Sequence, residues 1–346
     1  MHGGKSLSRS SETIAALVAR LAQAPDDATW RESFRRGFQG LCTDPGLHPV
    51  EATASSVFES AADSARAVAA ECLPLGLAVV MHLYPLCAAR CVPLPWWSPA
   101  NLQRALLLRA IDQHSLILAN AGSERVAGAR SPVTLRRTAG GVLLNGTFDY
   151  MSLAHVADIV FFSAPLDGSP NTMFCAADLR GESVRVGPSK FGGSMKLSDT
   201  CSVSFDNHCV PTHRCIEIPD DGALNCMAQY QRSWFHLLLG EAYLARIEAL
   251  HQRLKLPRAA EFIASLNELT FLKKYSLCLI NEASSLSAVD SLSRVTAAMK
   301  LRISWLAQAT AVAIRDRDET AASELGFISR QPTSDERILR SIGAAA

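Results

Sequence analysis

The spacing of apolar residues changes twice along the chain. Residues 11 to 24, 52 to 73 and 99 to 120 carry apolar side chains at three- and four-residue intervals, which predicts helices with one buried face. From residue 132 the period falls to two. Cys201-Ser-Val203-Ser-Phe205 alternates apolar and polar as a half-exposed strand does, and Ile159-Val-Phe-Phe162 is an unbroken apolar run suited to a buried strand. Val142-Leu-Leu144 running into Asn145-Gly146 predicts a strand that ends in a tight turn, and Gly181, Gly187, Gly192 and Gly193 predict further turns. After Pro219-Asp-Asp-Gly222 the helical period returns, first in Trp234, Leu238, Ala242, Ala245 and Ala249 and then in Val295, Met299, Ile303 and Leu306. The expected class is α+β: an N-terminal helical domain over 1–121, a β-barrel or sandwich domain over 122–218 and a helical bundle over 219–346.

Composition narrows the function classes. A chain of 346 residues with 48% hydrophobic residues buries two or three cores. Its 34 Lys and Arg nearly cancel its 33 Asp and Glu, so no charge excess recommends a nucleic acid or a membrane surface as partner. The apolar run from Leu75 to Leu83 is expected to be too short to span a bilayer, and Met1-His-Gly-Gly-Lys-Ser6 has no apolar leader, which points to a cytoplasmic protein. The ten cysteines lack paired CxxC spacing and fall in apolar contexts. Buried, reduced thiols are expected, and no metal site.

One stretch carries more than architecture. It opens Asn120-Ala-Gly-Ser123-Glu124-Arg-Val-Ala-Gly128, passes through Leu144-Asn145-Gly146-Thr147-Phe148-Asp149-Tyr150-Met151-Ser152 and Ala157-Asp158-Ile159-Val160, and closes on Cys201-Ser-Val-Ser-Phe205-Asp206 and Val210-Pro211. This order resembles the middle β-domain of the acyl-CoA dehydrogenase superfamily, and the order of helices, strands and helices extends the resemblance along nearly the whole chain. The resemblance implies that Cys72 to His82 is the apolar helix lining an acyl pocket, with His82 at its end. It implies that Asn120, Ser123 and Gly128 belong to a flavin-contacting loop, and that Tyr150 and Ser152 lie beside the isoalloxazine ring. Near the end, Glu324-Leu-Gly326-Phe and Pro332 to Arg340 resemble a Gly-rich turn followed by an Arg-rich helix. The cofactor it implies is FAD, with FMN or no flavin as alternatives. The residue types suit such a group on their own: a flat aromatic body with hydrogen-bonding edges needs an aromatic wall, here Tyr150, and donors, here Ser123 and Ser152. The plain alternative makes Tyr150 and Ser152 ordinary strand-end residues and Gly128 part of a loop.

The departures are as informative. Oxidation of an acyl thioester requires a carboxylate to take the α-proton. Of the two positions where the family supplies it, one follows the Arg-rich segment and is expected to fall beyond Ala346; the other, before Arg232, is occupied by Gln231, an amide that takes no proton. Groups that hold the cofactor's phosphates are also altered, leaving Arg253 or Arg258 to reach a phosphate or to serve as helix-end cations. His82 and Asn120 resemble the branch that uses reduced flavin and oxygen, where an imidazole and an amide orient substrate or the oxygenated cofactor. The alternative for His82 is a core histidine satisfied locally. Glu241, inside an apolar stretch, is either a base or part of a solvated face. His236 is similarly open, and Asp149 is read as turn chemistry.

The expectation is a flavin-dependent oxidoreductase acting on an acyl thioester or related small molecule, with catalysis assigned to His82, Glu241 and Gln231. A reduced-flavin-dependent monooxygenase and a flavin-free scaffold are the alternatives. The resemblance further implies a homodimer or homotetramer built on the C-terminal helices, and a flavin reductase or electron-transfer partner.

Overall fold

A computed structural model describes residues 6–24, 26–42, 53–92, 99–121, 133–218, 223–257, 259–282 and 286–330. Among the described residues, five helices come first: α1 (Ser6–Ala22), α2 (Asp27–Cys42), α3 (Ala54–Glu71), α4 (Leu73–Cys91) and α5 (Pro99–His114). Eight strands follow: β1 (Leu118–Asn120), β2 (Val133–Thr138), β3 (Gly141–Met151), β4 (Ile159–Pro165), β5 (Thr172–Asp178), β6 (Val184–Ser189), β7 (Cys201–Pro211) and β8 (Cys215–Ile218). The described chain then returns to helices α6 (Ala223–Arg253), α7 (Ala260–Glu282), α8 (Leu286–Ile314) and α9 (Glu319–Arg330). The class is α+β, as the change of period predicts.

The chain folds as two compact units: 1–18, 49–80 and 229–346 form one, 19–48 and 81–228 the other. The strands of the second unit make two sheets, ordered β1-β4-β5-β8 and β2-β3-β7-β6. Phe148 on β3 joins them, its ring edge-on to Phe162 at 5.4 Å and to Phe205 at 6.1 Å. On the other face of β4, Phe161 and Ile159 pack with Leu86, Ile111, Leu118 and Ala176. Both faces of β4 are therefore covered, which is why its sequence is continuously apolar. Each such buried side chain contributes roughly 1.5–3 kcal/mol.

Several expectations are corrected. The strand predicted to end at Asn145-Gly146 runs on to Met151: these residues keep regular register with β2, and the bulge lies on β7, where Asp206 and Asn207 together face Asn145. Asn207, at φ 48°, donates its backbone N–H to Asn145 Oδ1 at 2.7 Å across that bulge. Asp149 accordingly lies inside β3 and not in a turn. The tight turn is at Ala139-Gly140, and Gly141 opens β3 beside β7, where a side chain on it would meet the Val210 carbonyl oxygen at 2.1 Å. The helix expected over 99–120 stops at His114; Ser115 turns left-handed at φ 47° and the chain enters β1. His82 does not end its helix, since α4 continues through Pro85 to Cys91. At 19 residues α4 is long and apolar enough to cross a membrane, but its side chains are largely buried within the protein. Gly187 lies within β6 rather than at a turn.

In the first unit, Trp234 of α6 is fully buried against Phe58 of α3, with ring centroids 6.4 Å apart. Gly240 lets α6 approach α8, where a Cβ would meet Ile303 and Met299 at 2.6 and 2.7 Å. Ser323 to Gly326, read as part of a Gly-rich turn, lies inside α9.

Candidate functional site

Two segments far apart in sequence meet at the ends of β1 and β3. Ala121, the residue after β1, bridges Met151 at the end of β3, so Asn120-Ala121 and Tyr150-Met151-Ser152 become neighbours. β1 is only three residues long, and side chains hold it. The Ile117 N–H donates to Asp158 Oδ2 at 2.9 Å, and the Leu118 N–H donates to His82 Nδ1 at 3.0 Å. Because Nδ1 accepts, the ring proton of His82 resides on Nε2, which makes this buried imidazole a donor at its other nitrogen. Its ring also lies edge-on to Phe38 at 6.0 Å. Burial pushes the Asp158 carboxyl up, while the Ile117 N–H and the Arg35 guanidinium 2.7 Å away oppose that shift. Arg35 further donates to the Val156 carbonyl, tying α2 to the segment after Ser152.

The aromatic wall is present and open. Tyr150 is 65% exposed, stacks with Phe191 at 6.4 Å and 29°, and has Lys190 Nζ 5.6 Å from its ring centroid. An exposed aromatic ledge of this kind fits the face of a flat conjugated ligand. Beside it Ser152 Oγ lies 2.9 Å from Thr200 Oγ1, which is 3.0 Å from Ser198 Oγ. Hydroxyls donate and accept, so the chain can reorient toward a ligand acceptor. Sequence reasoning missed Phe191, Lys190, Ser198 and Thr200. The alternation of Ser198 and Thr200 leading into the strand at Cys201 was the available signal.

Behind the hydroxyls lies one further group. His155, Asp199 and Cys201 hold ligand-type atoms within 4.8 Å of one another, which the lack of CxxC spacing concealed. Asp199, left-handed at φ 46°, accepts the His155 N–H at Oδ2 and faces His155 Nδ1 at Oδ1, both at 2.7 Å. Burial first and Asp199 second push the Cys201 thiol up to about 12, so it stays protonated. These contacts satisfy the carboxylate and fix the turn after Ser152.

The other expected site residues fall in the helical unit or outside the described residues. Ser123, Gly128 and Arg258 are among the latter, and of Asn120 only the backbone position in β1 is described. Gln231 lies in α6, half-buried, next to an exposed Arg232. Glu241 is buried, not on a solvated face: Arg66 Nη1 stands 3.0 Å from one oxygen and Lys273 Nζ 3.1 Å from the other. Both of its oxygens are thus engaged by cations. Arg253 is ion-paired with Asp318. Arg246 bonds Glu324 at 3.0 Å and donates to the Ala70 and Glu71 carbonyls at the end of α3.

His236 is buried, which pushes its imidazole well below 6.5, and Lys300 and Arg232 repel a proton further. The unfolded chain therefore takes up that proton first, so its contribution to stability is full above about pH 6.5 and declines as pH falls below it. His236→Gln is expected to flatten the dependence of Tm on pH between about 7 and 5.5. An unchanged slope would assign the acid sensitivity elsewhere.

Solved structures share this fold. TdsC from Paenibacillus sp. A11-2 with bound FMN superposes with a TM-score of 0.73 at 15% identity, over 98% of this chain and 96% of that one. The fold is that of the acyl-CoA dehydrogenases. Methanesulfinate monooxygenase MsuC from Pseudomonas fluorescens matches with a TM-score of 0.70 at 13% identity, over 99% of this chain and 96% of that chain. KijD3 in complex with FMN and a dTDP-linked amino-keto sugar matches at 0.68 and 17%, over 99% and 94%. No family model and no curated protein matches the sequence. At such identities the acyl-CoA dehydrogenase likeness is one of fold.

Proposed function

We propose that this protein binds a flavin at the Tyr150–Ser152 ledge and, using reduced flavin delivered by a separate reductase, oxygenates a small organic molecule. The observation that carries the reading is the bridge between Ala121 and Met151, which brings the two segments implied as flavin-contacting into one place. Support for oxygenation over dehydrogenation comes from Gln231 and from the two cations on Glu241. Two similar proteins add to it: the dibenzothiophene monooxygenase TdsC, also solved with FMN and indole, and the methanesulfinate monooxygenase MsuC. Bound reduced flavin supplies the electrons that activate dioxygen. Tyr150 and Phe191 would bind its ring, Ser152 would donate to its edge through the Thr200 hydroxyl chain, and His82 would hold β1 in register.

The test is a titration of FMN and FAD followed by quenching of flavin fluorescence. Tyr150→Ala removes the stacking surface, worth about 0.5–1.5 kcal/mol, and is expected to weaken binding up to about tenfold. Equal affinity in the variant would remove Tyr150 from the site.

A second reading, a scaffold without flavin, is favoured by one observation: Arg253, offered above to reach a phosphate, is engaged on Asp318. The visible absorption spectrum of the purified protein after FMN addition and desalting separates the two.

We also propose self-association through α7 and α8. They leave Phe271 68%, Trp305 62% and Val312 65% exposed, with Ile263 and Tyr275 at 47%, a load of apolar surface that a second copy would cover. Light scattering is expected to give a multiple of 37.3 kDa, and a monomer mass would contradict it.

A further inference from the structure

We propose that Cys175 and Cys215 form a reversible cross-strand disulfide when the protein meets hydrogen peroxide. The two are direct partners in the antiparallel pairing of β5 with β8, and their sulfurs lie 3.7 Å apart, both buried and both free. Directly opposed antiparallel residues have Cα atoms about 4.5–5.5 Å apart, inside the span a disulfide bridges, about 4.4–6.8 Å. No strand movement is required, only rotation of the two side chains.

The pair has an order of reaction built in. The Cys175 thiol donates to the Cys215 sulfur, which pulls Cys215 below the usual thiol range and holds Cys175 above it. Cys215 is also the more accessible, at 8% exposure against 0% for Cys175. It opens β8, an edge strand, and forms the last pair of the ladder, where a sheet opens first. The Cys215 thiolate attacks one peroxide oxygen; the O–O bond breaks, the other oxygen leaves as water after taking a proton, and Cys215 becomes a sulfenic acid. The Cys175 sulfur then attacks the Cys215 sulfur, the S–S bond forms as S–O breaks, and a second water leaves with the Cys175 proton. Two thiols lose two electrons, and peroxide is reduced to two waters. The product pins the edge strand to its neighbour and closes a loop across 40 residues of sequence separation. This inference does not depend on flavin binding.

The experiment uses the full, reduced chain titrated with hydrogen peroxide and mapped by non-reducing peptide mass spectrometry. A Cys175–Cys215 linked peptide is expected, reversible by dithiothreitol, with Tm of the oxidised protein raised by about 5 °C. In Cys175→Ser, Cys215 should stop at the sulfenic acid and be captured by dimedone, and neither Cys175→Ser nor Cys215→Ser should gain Tm. The exposed Cys209 and Cys278 report that peroxide has acted. Their oxidation without any Cys175–Cys215 link in the wild-type protein would overturn the proposal, whether or not the variants fold.

Discussion

Mixed with a saturated straight-chain acyl-CoA, a flavin and an electron-accepting dye, but no reductase, the protein is expected to reduce the dye at background rate. The reason is a missing base. Removing hydride from Cβ of a thioester requires loss of the α-proton, and a positioned carboxylate contributes about 10²–10⁴-fold to such a transfer. The position that the family resemblance assigns to that carboxylate is Gln231, whose amide stays neutral. The replacement that the sequence suggests, Glu241, spends both oxygens on Arg66 and Lys273. Gln231→Glu supplies a carboxylate at the implied position and should raise any residual dye reduction by at least about tenfold. Rapid dye reduction by the unaltered protein would instead reveal a base elsewhere and return it to the dehydrogenases.

The largest loss of stability is expected at Arg246. Its guanidinium is buried between helices α3, α6 and α9, on Glu324 and on the Ala70 and Glu71 carbonyls. Burial raises the Glu324 carboxyl, an effect that the adjacent Arg246 partly offsets. Arg246→Met leaves a buried carboxylate without its cation and two helix-end carbonyls without their donor, a change that costs about 3–5 kcal/mol. Urea denaturation measures it. The double variant Arg246→Met, Glu324→Leu should recover part of the loss, because an apolar pair carries no orphaned charge. A single variant within about 0.5 kcal/mol of the parent would show the contacts to be incidental.

Much of the architecture was legible because burial imposed its period on the sequence. Cys201 to Phe205 alternates since one face of β7 packs against the core and the other does not, and Ile159 to Phe162 is apolar throughout since β4 is covered on both faces. Local chemistry was less decisive where two structures share one signal. Asn145-Gly146 suits a hairpin turn and a continuing strand equally, and only the pairing of Asn145 with Asn207, 62 residues away, selects the strand. The resemblance puts a helix end at His82, yet α4 passes through Pro85 to Cys91. Of the candidate site, the order of Asn120, Tyr150 and Ser152 was readable, but the groups that set their surroundings were not. Thr200 reaches Ser152 from 48 residues away, and His82 becomes a support for β1 only through the Leu118 N–H. Glu241 shows the same limit: its burial follows from cations on α3 and α7 that no local pattern announces.

The proposed chemistry is oxygenation by reduced flavin at the Tyr150–Ser152 ledge. Its most direct test is oxygen-dependent product formation by the full chain with FMN, NADH, a flavin reductase and a panel of small aromatic substrates including indole and dibenzothiophene. An oxygenated product that appears only with the reductase present, carries label from ¹⁸O₂ and diminishes in Tyr150→Ala is the predicted result. A protein that neither retains nor quenches FMN or FAD, and yields no labelled product, would contradict the account.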